Sequence, residues 1–579
     1  GTSDDHLSRL ANIFGTPNVS TTSSICYSPC ALASKHTYGF MAYPDLSHPP
    51  RCVVLWGFNP KHTHPPLYRE MSAVFAADTR LLVVDPYAAD NRAALHLRPR
   101  PGADGALALG MAKVILDEGL HDKPFIKKWT VGIERLHAHL ATYTLDRVQA
   151  MTWVPAKDIR RAARIYATVR PGCILWGNAL ESGPNNYQTC RAICILRALT
   201  GNLNVPGSDI MWSGEGELNR RSPRFTRPDL LPEKMAANRL GAVAGLLPDF
   251  AYVPHNLVAN AILNDDPYPV RAVYLQGGNL LCTSADAPLM AKALGKLDFL
   301  AATDHFMTPT TALADIVLPA AFYLEHDSVE QPWHWPAAFV QQRAADPGEN
   351  RSEGQICNDL AIRIGKSEYA FENMKQFLDF YLEPAGIRFD EFRDRGVIYG
   401  KGRPLVHETS GFPTPSGKVE LYSDKLAEWG FDPLPTYHEP PPPDDQYPLV
   451  LTSRKSVGYY HSCGRQVASL RRAKPDPVVR LHPDTAGHLG LAGGDMACIS
   501  TVSGTIRQRV MVDRRVDPRI VMAEHGWWFP EEGEKTGFGW RRANLNMLTD
   551  AKRQLSRELG SAALRGQPCR VDPCNEEKS

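Results

Sequence analysis

Short apolar runs that stop at a small or polar residue are the feature that most constrains the fold of this chain. Residues 52–56 read Cys-Val-Val-Leu-Trp and precede Gly57, and residues 81–84 read Leu-Leu-Val-Val and precede Asp85. Runs of this kind predict strands buried on both faces, which are typical of parallel sheets. The residues between them are numerous enough for a crossover helix, so the pattern predicts a βαβ unit.

The same pattern returns further along the chain. Residues 272–275 run into Gly277, and residues 299–303 run into Asp304. Helical periodicity at about 105–119, 156–168 and 187–200 supplies covering helices for the first pattern. The sequence therefore predicts an α/β protein with two doubly wound, dinucleotide-binding-like domains.

The sequence pattern changes after residues 440–445. This proline-rich run predicts a stiff, polar linker. Beyond it, short apolar runs alternate with glycine-containing turns, and this pattern favours a C-terminal domain of the β-barrel type. The predicted domains are 26–235 and 236–440 for the two α/β domains and 446–575 for the barrel-like domain.

Charge and composition exclude several classes of function. The chain has 64 Lys and Arg against 63 Asp and Glu, so no basic excess indicates a nucleic-acid partner. No run of about 18 apolar residues is present, and no transmembrane segment is expected. The 12 cysteines do not form a dense disulfide framework, so a reducing compartment is the default expectation.

The carboxyl ends of parallel strands are the places where such sheets bind ligands. Glycine there lets a backbone approach a phosphate, and aspartate accepts hydrogen bonds from ribose hydroxyls or a guanine edge. Neither a Walker loop nor a G-x-G-x-x-G fingerprint is present. Two nucleotide-like ligands or one double cofactor would fit this pattern, and ordinary turns are the alternative. The candidates are Gly57, Asn59, Asp85, Gly177, Gly277, Asn279 and Asp304.

Further motifs stand in the order found in one enzyme superfamily. They include residues 57–60 (Gly-Phe-Asn-Pro), 84–86 (Val-Asp-Pro), 100–107 (Arg-Pro-Gly-Ala-Asp-Gly-Ala-Leu), 199–202 (Leu-Thr-Gly-Asn), 314–319 (Ala-Asp-Ile-Val-Leu-Pro), 414–422 (Thr-Pro-Ser-Gly-Lys-Val-Glu-Leu-Tyr) and 452–454 (Thr-Ser-Arg). Over nearly its whole length the chain resembles the dimethyl sulfoxide reductase superfamily. The resemblance implies a bis-pyranopterin guanine dinucleotide cofactor, bis(molybdopterin guanine dinucleotide), that carries molybdenum or tungsten. Besides the strand-end candidates, it implies cofactor contacts from Gly102, Asp104, Thr452, Arg454, His461, Ser462, Asn544 and Asn546.

Cys26 is the residue that aligns with the metal ligand of this superfamily. The segment 24–33 resembles the stretch in which Cys, selenocysteine, Ser or Asp binds the metal, and Pro29 falls three residues later, as in Cys-type members. Thiolates suit metals held among sulfur ligands. Cys30 is interpreted as a buried neighbour. An iron–sulfur site formed by Cys26 and Cys30 is the alternative, although no further Cys pair has the expected spacing.

Most members of the superfamily begin with an iron–sulfur lobe. Here only 25 residues precede Cys26, and none of them is Cys. We therefore expect residues 1–25 to be the remnant of a truncated N-terminal α/β lobe, and a 4Fe-4S cluster to come only from the missing lobe. The expected partners are a small-molecule substrate and an iron–sulfur electron-transfer subunit. The sequence does not distinguish between the cytoplasm and the periplasm of a prokaryote, because an export signal would lie in the missing N-terminus.

Two aromatic positions bear on the reaction. Tyr27, a candidate catalytic residue, stands where formate dehydrogenases of the superfamily carry a proton-accepting His, which disfavours a formate reaction. Residues 524–531 contain Trp-Trp-Phe-Pro, which resembles the branch of acetylene hydratase and the thiosulfate/polysulfide reductase-like subunits.

The leading hypothesis is the catalytic subunit of a molybdopterin-dependent oxidoreductase whose metal is ligated by cysteine. It would transfer oxygen atoms, sulfur atoms or electrons to or from a small substrate such as a sulfur oxyanion or polysulfide. The alternatives are a non-redox lyase of the acetylene hydratase type, a formate dehydrogenase-like enzyme and a non-catalytic scaffold.

Overall fold

The chain divides into two compact units that are discontinuous in sequence. The computed structural model describes residues 3–45, 47–74, 78–88, 92–213, 218–331 and 337–574. The smaller unit contains residues 1–21, 212–280 and 291–403, and the larger unit contains residues 22–211, 281–290 and 404–579. The contiguous domains derived from the sequence stay a prediction. Their outermost bounds, at residues 1 and 575, lie outside the described residues.

The larger unit is organised around a parallel sheet. Among the described residues, every neighbouring pair of its strands runs parallel, in the order Leu95–Leu97, Arg80–Val84, Cys52–Trp56 and Gly172–Trp176. The strands consist largely of Val, Leu and Ile and are mostly buried, as expected for a sheet covered on both faces. The helices Pro60–Thr63 and Pro65–Val74 connect the strand Cys52–Trp56 to the strand Arg80–Val84, which confirms the predicted βαβ unit.

A fully enclosed helix forms the core next to this sheet. Asn186–Leu199 is buried along its whole length and packs against Asp104–Asp117 and Ser28–Tyr38. A helix that has no solvated face must be covered on every side. Its two cysteines, Cys190 and Cys194, are completely buried and belong to the core.

A buried ion pair fixes the end of that helix. Arg197 Nε donates to the Asp209 carboxylate at 2.7 Å, and neither side chain is more than 1% exposed. Arg197 also donates to the Ile174 carbonyl and to the Tyr38 hydroxyl. Asp209 in turn accepts the backbone N–H of Ile174. The pair therefore joins two helices to a strand of the sheet.

Residues 449–573, all of which the structure describes, contain six strands that close into a barrel. Their order around the barrel is Leu449–Arg454, Ile520–Glu524, Val478–Leu481, Gly504–Val512, Met496–Thr501 and Gln567–Pro573. Buried Val, Leu, Ile and Ala side chains fill the interior, which confirms the predicted barrel-like domain. Gln567–Pro573 is not apparent from the sequence because only Cys569 and Val571 of this strand are buried.

A disulfide joins Cys498 to Cys574 at one side of this barrel. The cysteine distribution alone gave no reason to pair these residues. Disulfides persist in oxidising environments.

The smaller unit contains the second predicted α/β pattern. Its parallel strands lie in the order Ile316–Pro319, Phe299–Asp304 and Ala272–Gln276, so the strands expected at 272–275 and 299–303 are confirmed. The helix Ser3–Phe14 packs in this unit, where His6 contacts the rings of buried phenylalanines. Its assignment to a remnant lobe stays a prediction. An antiparallel sheet adds Ser328–Glu330, Ala337–Gln341 and Val397–Tyr399.

The other elements are short or connect these layers. The predicted helices at about 105–119, 156–168 and 187–200 are confirmed to within a turn. In the described residues no helix is both long and apolar enough to cross a bilayer.

Further helices are Lys123–Trp129, Ile133–Leu140, Leu145–Thr152, Ala156–Thr168, Pro223–Thr226, Glu233–Ala237, Leu240–Val243, His255–Asn264, Leu280–Thr283, Ala287–Leu294, Glu353–Arg363, Met374–Leu382, Phe389–Arg395, His407–Ser410, Asp424–Glu428, Ala468–Ala473, Pro483–His488 and Trp540–Ala543. Further strands are Ala42–Pro44, Thr130–Val131, Asp209–Ser213, Lys401–Gly402 and Val419–Glu420.

Removing one partner of the buried ion pair should destabilise the larger unit. Arg197→Ala leaves the Asp209 carboxylate buried without its cation, and we expect the free energy of unfolding to fall by about 3–5 kcal/mol. Denaturant titration followed by tryptophan fluorescence measures this loss. Arg164→Ala, which removes an exposed partner of Glu118, is the matched control and should leave the midpoint unchanged. Equal effects of the two substitutions would contradict the assignment.

Candidate functional site

Cys26 lies in a turn of the larger unit between the 3₁₀ helix Thr22–Ile25 and the helix Ser28–Tyr38. Its side chain is exposed, whereas Cys30 is buried as predicted. Tyr27 adopts a left-handed backbone conformation with a φ of +99°. Such a conformation costs a non-glycine residue about 1–3 kcal/mol, so it persists only where neighbouring groups enforce it.

A buried carboxylate enforces this conformation. Glu181 is 4% exposed and accepts the backbone N–H groups of Tyr27 at 2.9 Å and of Cys30 at 3.3 Å. The amide of Asn178 donates to the same carboxylate at 3.0 Å. The residues on the C-terminal side of Cys26 are therefore held by side chains that follow a strand of the parallel sheet.

Two asparagines hold the residues that precede Cys26. Asn178 Nδ2 donates to the carbonyl of Ile25 at 3.1 Å, and Asn186 Nδ2 donates to the carbonyl of Ser24 at 3.1 Å. Because both sides of the turn are bound to the same short stretch of chain, the position of the Cys26 backbone is fixed. None of these three anchoring side chains was among the predicted site residues.

The electrostatic environment of Cys26 opposes a free thiolate. Although solvent reaches the Cys26 side chain, desolvation by the surrounding protein raises the pKa of its thiol to about 11; the Glu181 carboxylate also raises this pKa, whereas Lys455 lowers it. Burial also raises the pKa of Glu181, and the hydrogen bonds from Cys30 and Tyr27 oppose this. A thiolate at this position requires additional positive charge, such as a metal ion, which deprotonates a coordinating thiol.

Two imidazoles and three cations form a second cluster in the larger unit. His461 Nδ1 lies 3.2 Å from His525 Nε2, a hydrogen-bond distance. Burial lowers the pKa of His461 to about 4 and that of His525 to about 3, with contributions from Lys455, Arg465 and Arg565. Both rings are therefore neutral at neutral pH.

Arg465 fixes the two loops that carry these imidazoles. Its guanidinium is completely buried and donates to the carbonyl of His461 at 2.8 Å and to that of His525 at 3.4 Å. It lies 4.4 Å from the ring centre of Tyr459 and 4.6 Å from that of Trp527, within cation–π range. The imidazole pair is thus built on a rigid support.

The Trp-Trp-Phe-Pro motif belongs to that support. Trp527 and Trp528 are completely buried, and Phe529 is nearly so. The Trp528 indole donates to the carbonyl of Ser462 at 2.8 Å. The motif is therefore part of the core, and the predicted site residue Ser462 is anchored through its backbone.

The strand ends of the large sheet meet as expected. A Cβ on Gly177 would lie 2.0 Å from the carbonyl oxygen of Gly57, so the close approach of the two backbones requires glycine. Gly57 itself has a φ of +57°, and Gly102 has a φ of +89° with open space around it. Asn59 begins the short helix Pro60–Thr63 and is partly buried.

Two predicted aspartates lie near one cation. Asp85 accepts the backbone N–H of Tyr87 at 2.8 Å, and Asp104 accepts the indole N–H of Trp56 at 2.9 Å. Burial raises the pKa of Asp104 to about 6 and also raises that of Asp85, while Arg565 lowers both. Arg565 was not predicted.

The predicted residues of the C-terminal domain have different surroundings. Thr452 is buried on a barrel strand, and the neighbouring Arg454 guanidinium lies 4.1 Å over the Tyr87 ring. Asn544 Nδ2 donates to the carbonyl of residue 281 at 2.6 Å, and Asn546 Nδ2 donates to that of residue 282 at 3.1 Å. Within the larger unit, these amides therefore join the segment 281–290 to the residues that follow the barrel strand Ile520–Glu524. Their contact with a cofactor stays a prediction.

The predicted residues of the smaller unit lie at its own strand ends. Gly277 has a φ of +59°, and Asn279 accepts the hydroxyl of Thr310 at 2.8 Å. Asp304 accepts the backbone N–H of His305 at 2.7 Å, and burial raises the pKa of the Asp304 carboxyl. Their cofactor contacts also stay a prediction.

Comparisons with known proteins identify two families of domain. The Molybdopterin oxidoreductase model matches residues 5–363, and the Molydopterin dinucleotide binding domain matches residues 449–559. Acetylene hydratase of Syntrophotalea acetylenica is 31% identical over 97% of this chain and 82% of that protein. The thiosulfate reductase molybdopterin-containing subunit PhsA of Salmonella typhimurium is 26% identical over 91% of this chain and 75% of that protein. The solved acetylene hydratase from Pelobacter acetylenicus superposes with a TM-score of 0.90 at 30% identity, over 99% of this chain and 84% of that one.

The larger unit fits the pterin dinucleotide cofactor of molybdenum or tungsten that these domains bind. Arg465 Nε, Arg565 Nε and His525 Nδ1 are buried without a hydrogen-bond partner among the described residues. Buried polar groups are costly unless they are paired. The anionic sulfur and phosphate groups of such a cofactor are suitable acceptors for these donors.

The two neutral imidazoles should make the protein sensitive to acid. Below pH about 6.5 the unfolded chain binds protons that folded His461 and His525 exclude, because their folded pKa values are about 4 and about 3. The free energy of unfolding should therefore fall with pH, by at most about 1.4 kcal/mol per pH unit for each residue. In denaturant titrations at pH 7.5 and pH 5, His525→Gln should lose less stability than the parent. The control His62→Gln, at an exposed histidine, should match the parent; an unchanged loss in His525→Gln would refute this assignment.

Proposed function

Because the chain belongs to the molybdopterin oxidoreductase family, we propose that it is the catalytic part of a molybdenum or tungsten enzyme whose metal is ligated by Cys26. The observation that carries this proposal is the exposed Cys26 thiol in a turn that Glu181 and two asparagines immobilise. A rigid backbone lets one thiol reach a cofactor at a fixed position without reorganisation.

The bis-pyranopterin guanine dinucleotide form of the cofactor is part of the same proposal. It is supported by polar residues at the strand ends, Asp85 in the larger unit and Asn279 and Asp304 in the smaller unit. Asp104, at the start of a helix of the larger unit, supports it as well. Carboxylates at such positions suit ribose hydroxyls and guanine N–H groups.

The first candidate reaction is the addition of water to a small unsaturated molecule such as acetylene. It is supported by the likeness to proteins named acetylene hydratase, over 97% of this chain and with a TM-score of 0.90. When bound, the metal centre would supply a Lewis acid that polarises water or substrate.

The imidazole pair suits the proton transfers of such a hydration. Adding water to a triple bond takes one proton from the water and gives one proton to carbon. In the tautomer in which His461 Nδ1–H donates to His525 Nε2, His461 Nε2 is left to accept a proton and return it. The low pKa of His461, about 4, keeps its ring neutral at neutral pH, so that one ring nitrogen is available as an acceptor.

The second candidate is redox chemistry on a sulfur oxyanion or polysulfide. The cation Lys455, which acts on the Cys26 thiol, favours it, since an anionic substrate would bind close to this side chain. The likeness to the thiosulfate reductase subunit supports the same class. A formate reaction is disfavoured because Tyr27 follows Cys26.

Loss of the Cys26 thiol should abolish turnover without loss of the fold. Loss of a residue that contacts a metal ligand typically reduces activity about 10–100-fold. Because Cys26→Ala removes the ligand itself, we expect a larger reduction. Pterin and metal content, unfolding midpoint and turnover are the measurements. Cys463→Ala removes another exposed thiol of the larger unit and should retain activity. Full activity of Cys26→Ala would reject Cys26 as the ligand.

A substrate test should separate the two candidate reactions. The purified, metal-loaded enzyme is incubated without oxygen, either with acetylene and no electron acceptor or with thiosulfate or polysulfide and reduced viologen. We expect acetaldehyde from acetylene and slow or no viologen oxidation. Viologen oxidation that depends on thiosulfate or polysulfide, with no acetaldehyde, would favour the redox candidate instead.

A further inference from the structure

We propose that Glu181 is the positioning residue of the metal-ligand turn, and that its carboxylate both fixes the backbone around Cys26 and sets the charge felt by the sulfur. This inference rests on the proposed function, in which Cys26 ligates the metal. It gives a role to a residue that no sequence motif indicates.

The first argument is that Glu181 caps a helix from a distant part of the chain. The helix Ser28–Tyr38 has no side-chain hydrogen bond at its N-cap residue, Tyr27. Glu181 accepts the N–H of that N-cap residue and of Cys30, the third residue of the helix. These are donors that a local capping box would satisfy. Without this carboxylate, two N–H groups beside the metal-ligand turn would lose their acceptor.

The second argument concerns the charge of the carboxylate. Three N–H groups, from Tyr27, Cys30 and Asn178, donate to its two oxygens at 2.9, 3.3 and 3.0 Å. A protonated carboxyl would present a hydrogen to this set of donors, so the geometry favours the ionised form. The positive end of the helix dipole stabilises a negative charge at this position.

The third argument is that this charge acts on the sulfur. The carboxylate accepts the backbone N–H of Tyr27, the residue that follows Cys26, at 2.9 Å, so its negative charge lies beside the turn that carries the sulfur. A fixed negative charge beside a metal thiolate disfavours the addition of an electron to the metal. Charge and hydrogen bonding around a metal centre are known controls of its reduction potential. Glu181 should therefore hold the potential of the bound metal low.

The test compares charge with shape in the purified, metal-loaded enzyme. Glu181→Gln removes the charge and keeps one acceptor oxygen, whereas Glu181→Asp keeps the charge and shortens the reach. Glu558→Gln is the matched control, because Glu558 is a buried carboxylate of the larger unit that binds Gln188 instead of the Cys26 turn. The readouts are metal content, the number of sulfur ligands from X-ray absorption, and the midpoint potential of the metal from a redox titration.

We expect a positive shift of the midpoint potential in Glu181→Gln, at parental metal content and sulfur count, and no shift in Glu558→Gln. Glu181→Asp should keep the parental potential while its metal content falls. An unchanged potential in Glu181→Gln would overturn the proposal. If Glu181→Gln does not fold, Glu181→Asp provides the test. This variant keeps the negative charge, so a positive shift of its midpoint potential would overturn the proposal too. A parental sulfur count in Cys26→Ala would instead show that the proposed function is wrong.

Discussion

The parallel pairing of the strands in the larger unit is the constraint on which the rest of its structure depends. Neighbouring strands that run in one direction must end at one edge, so the residues that follow them meet there although they lie far apart in sequence. Gly57, Asp85 and Gly177 follow three neighbouring strands and stand at that edge. The crossover connection between the strands Leu95–Leu97 and Gly172–Trp176 also supplies the helix Asp104–Asp117, which packs against the enclosed helix Asn186–Leu199.

Buried charges perform the positioning in this arrangement. Arg197 joins two helices to the sheet, Glu181 holds the turn of Cys26, and Arg465 joins the loops of His461 and His525. Each is almost inaccessible to solvent, and each makes several hydrogen bonds to backbone groups or to an opposite charge. A buried charge is costly unless its partners are in place, so each one favours a single arrangement of the segments it joins.

Much of the fold could be predicted because it depends on local patterns. The strands at 52–56 and 173–176 are continuous apolar runs, and the barrel-like domain follows from short runs between glycine turns. The anchoring residue Glu181 could not be found this way, since its partner Tyr27 lies 154 residues earlier and no periodic pattern connects them. The strand end at Gly177 was a usable signal, because residues shortly after such an end were expected to face a site.

The sequence by itself determined the α/β class, the barrel-like domain and the superfamily, and it selected Cys26 as the candidate metal ligand. These depend on runs, turns and motifs that are contiguous in the chain. Only the tertiary structure decided which side chains surround that cysteine, and it added Asn178, Glu181 and Lys455. The physical reason is that hydrogen bonds and charges depend on distance in space. The parallel sheet and the barrel bring together segments that are far apart in sequence, and no local pattern in the sequence indicates these contacts.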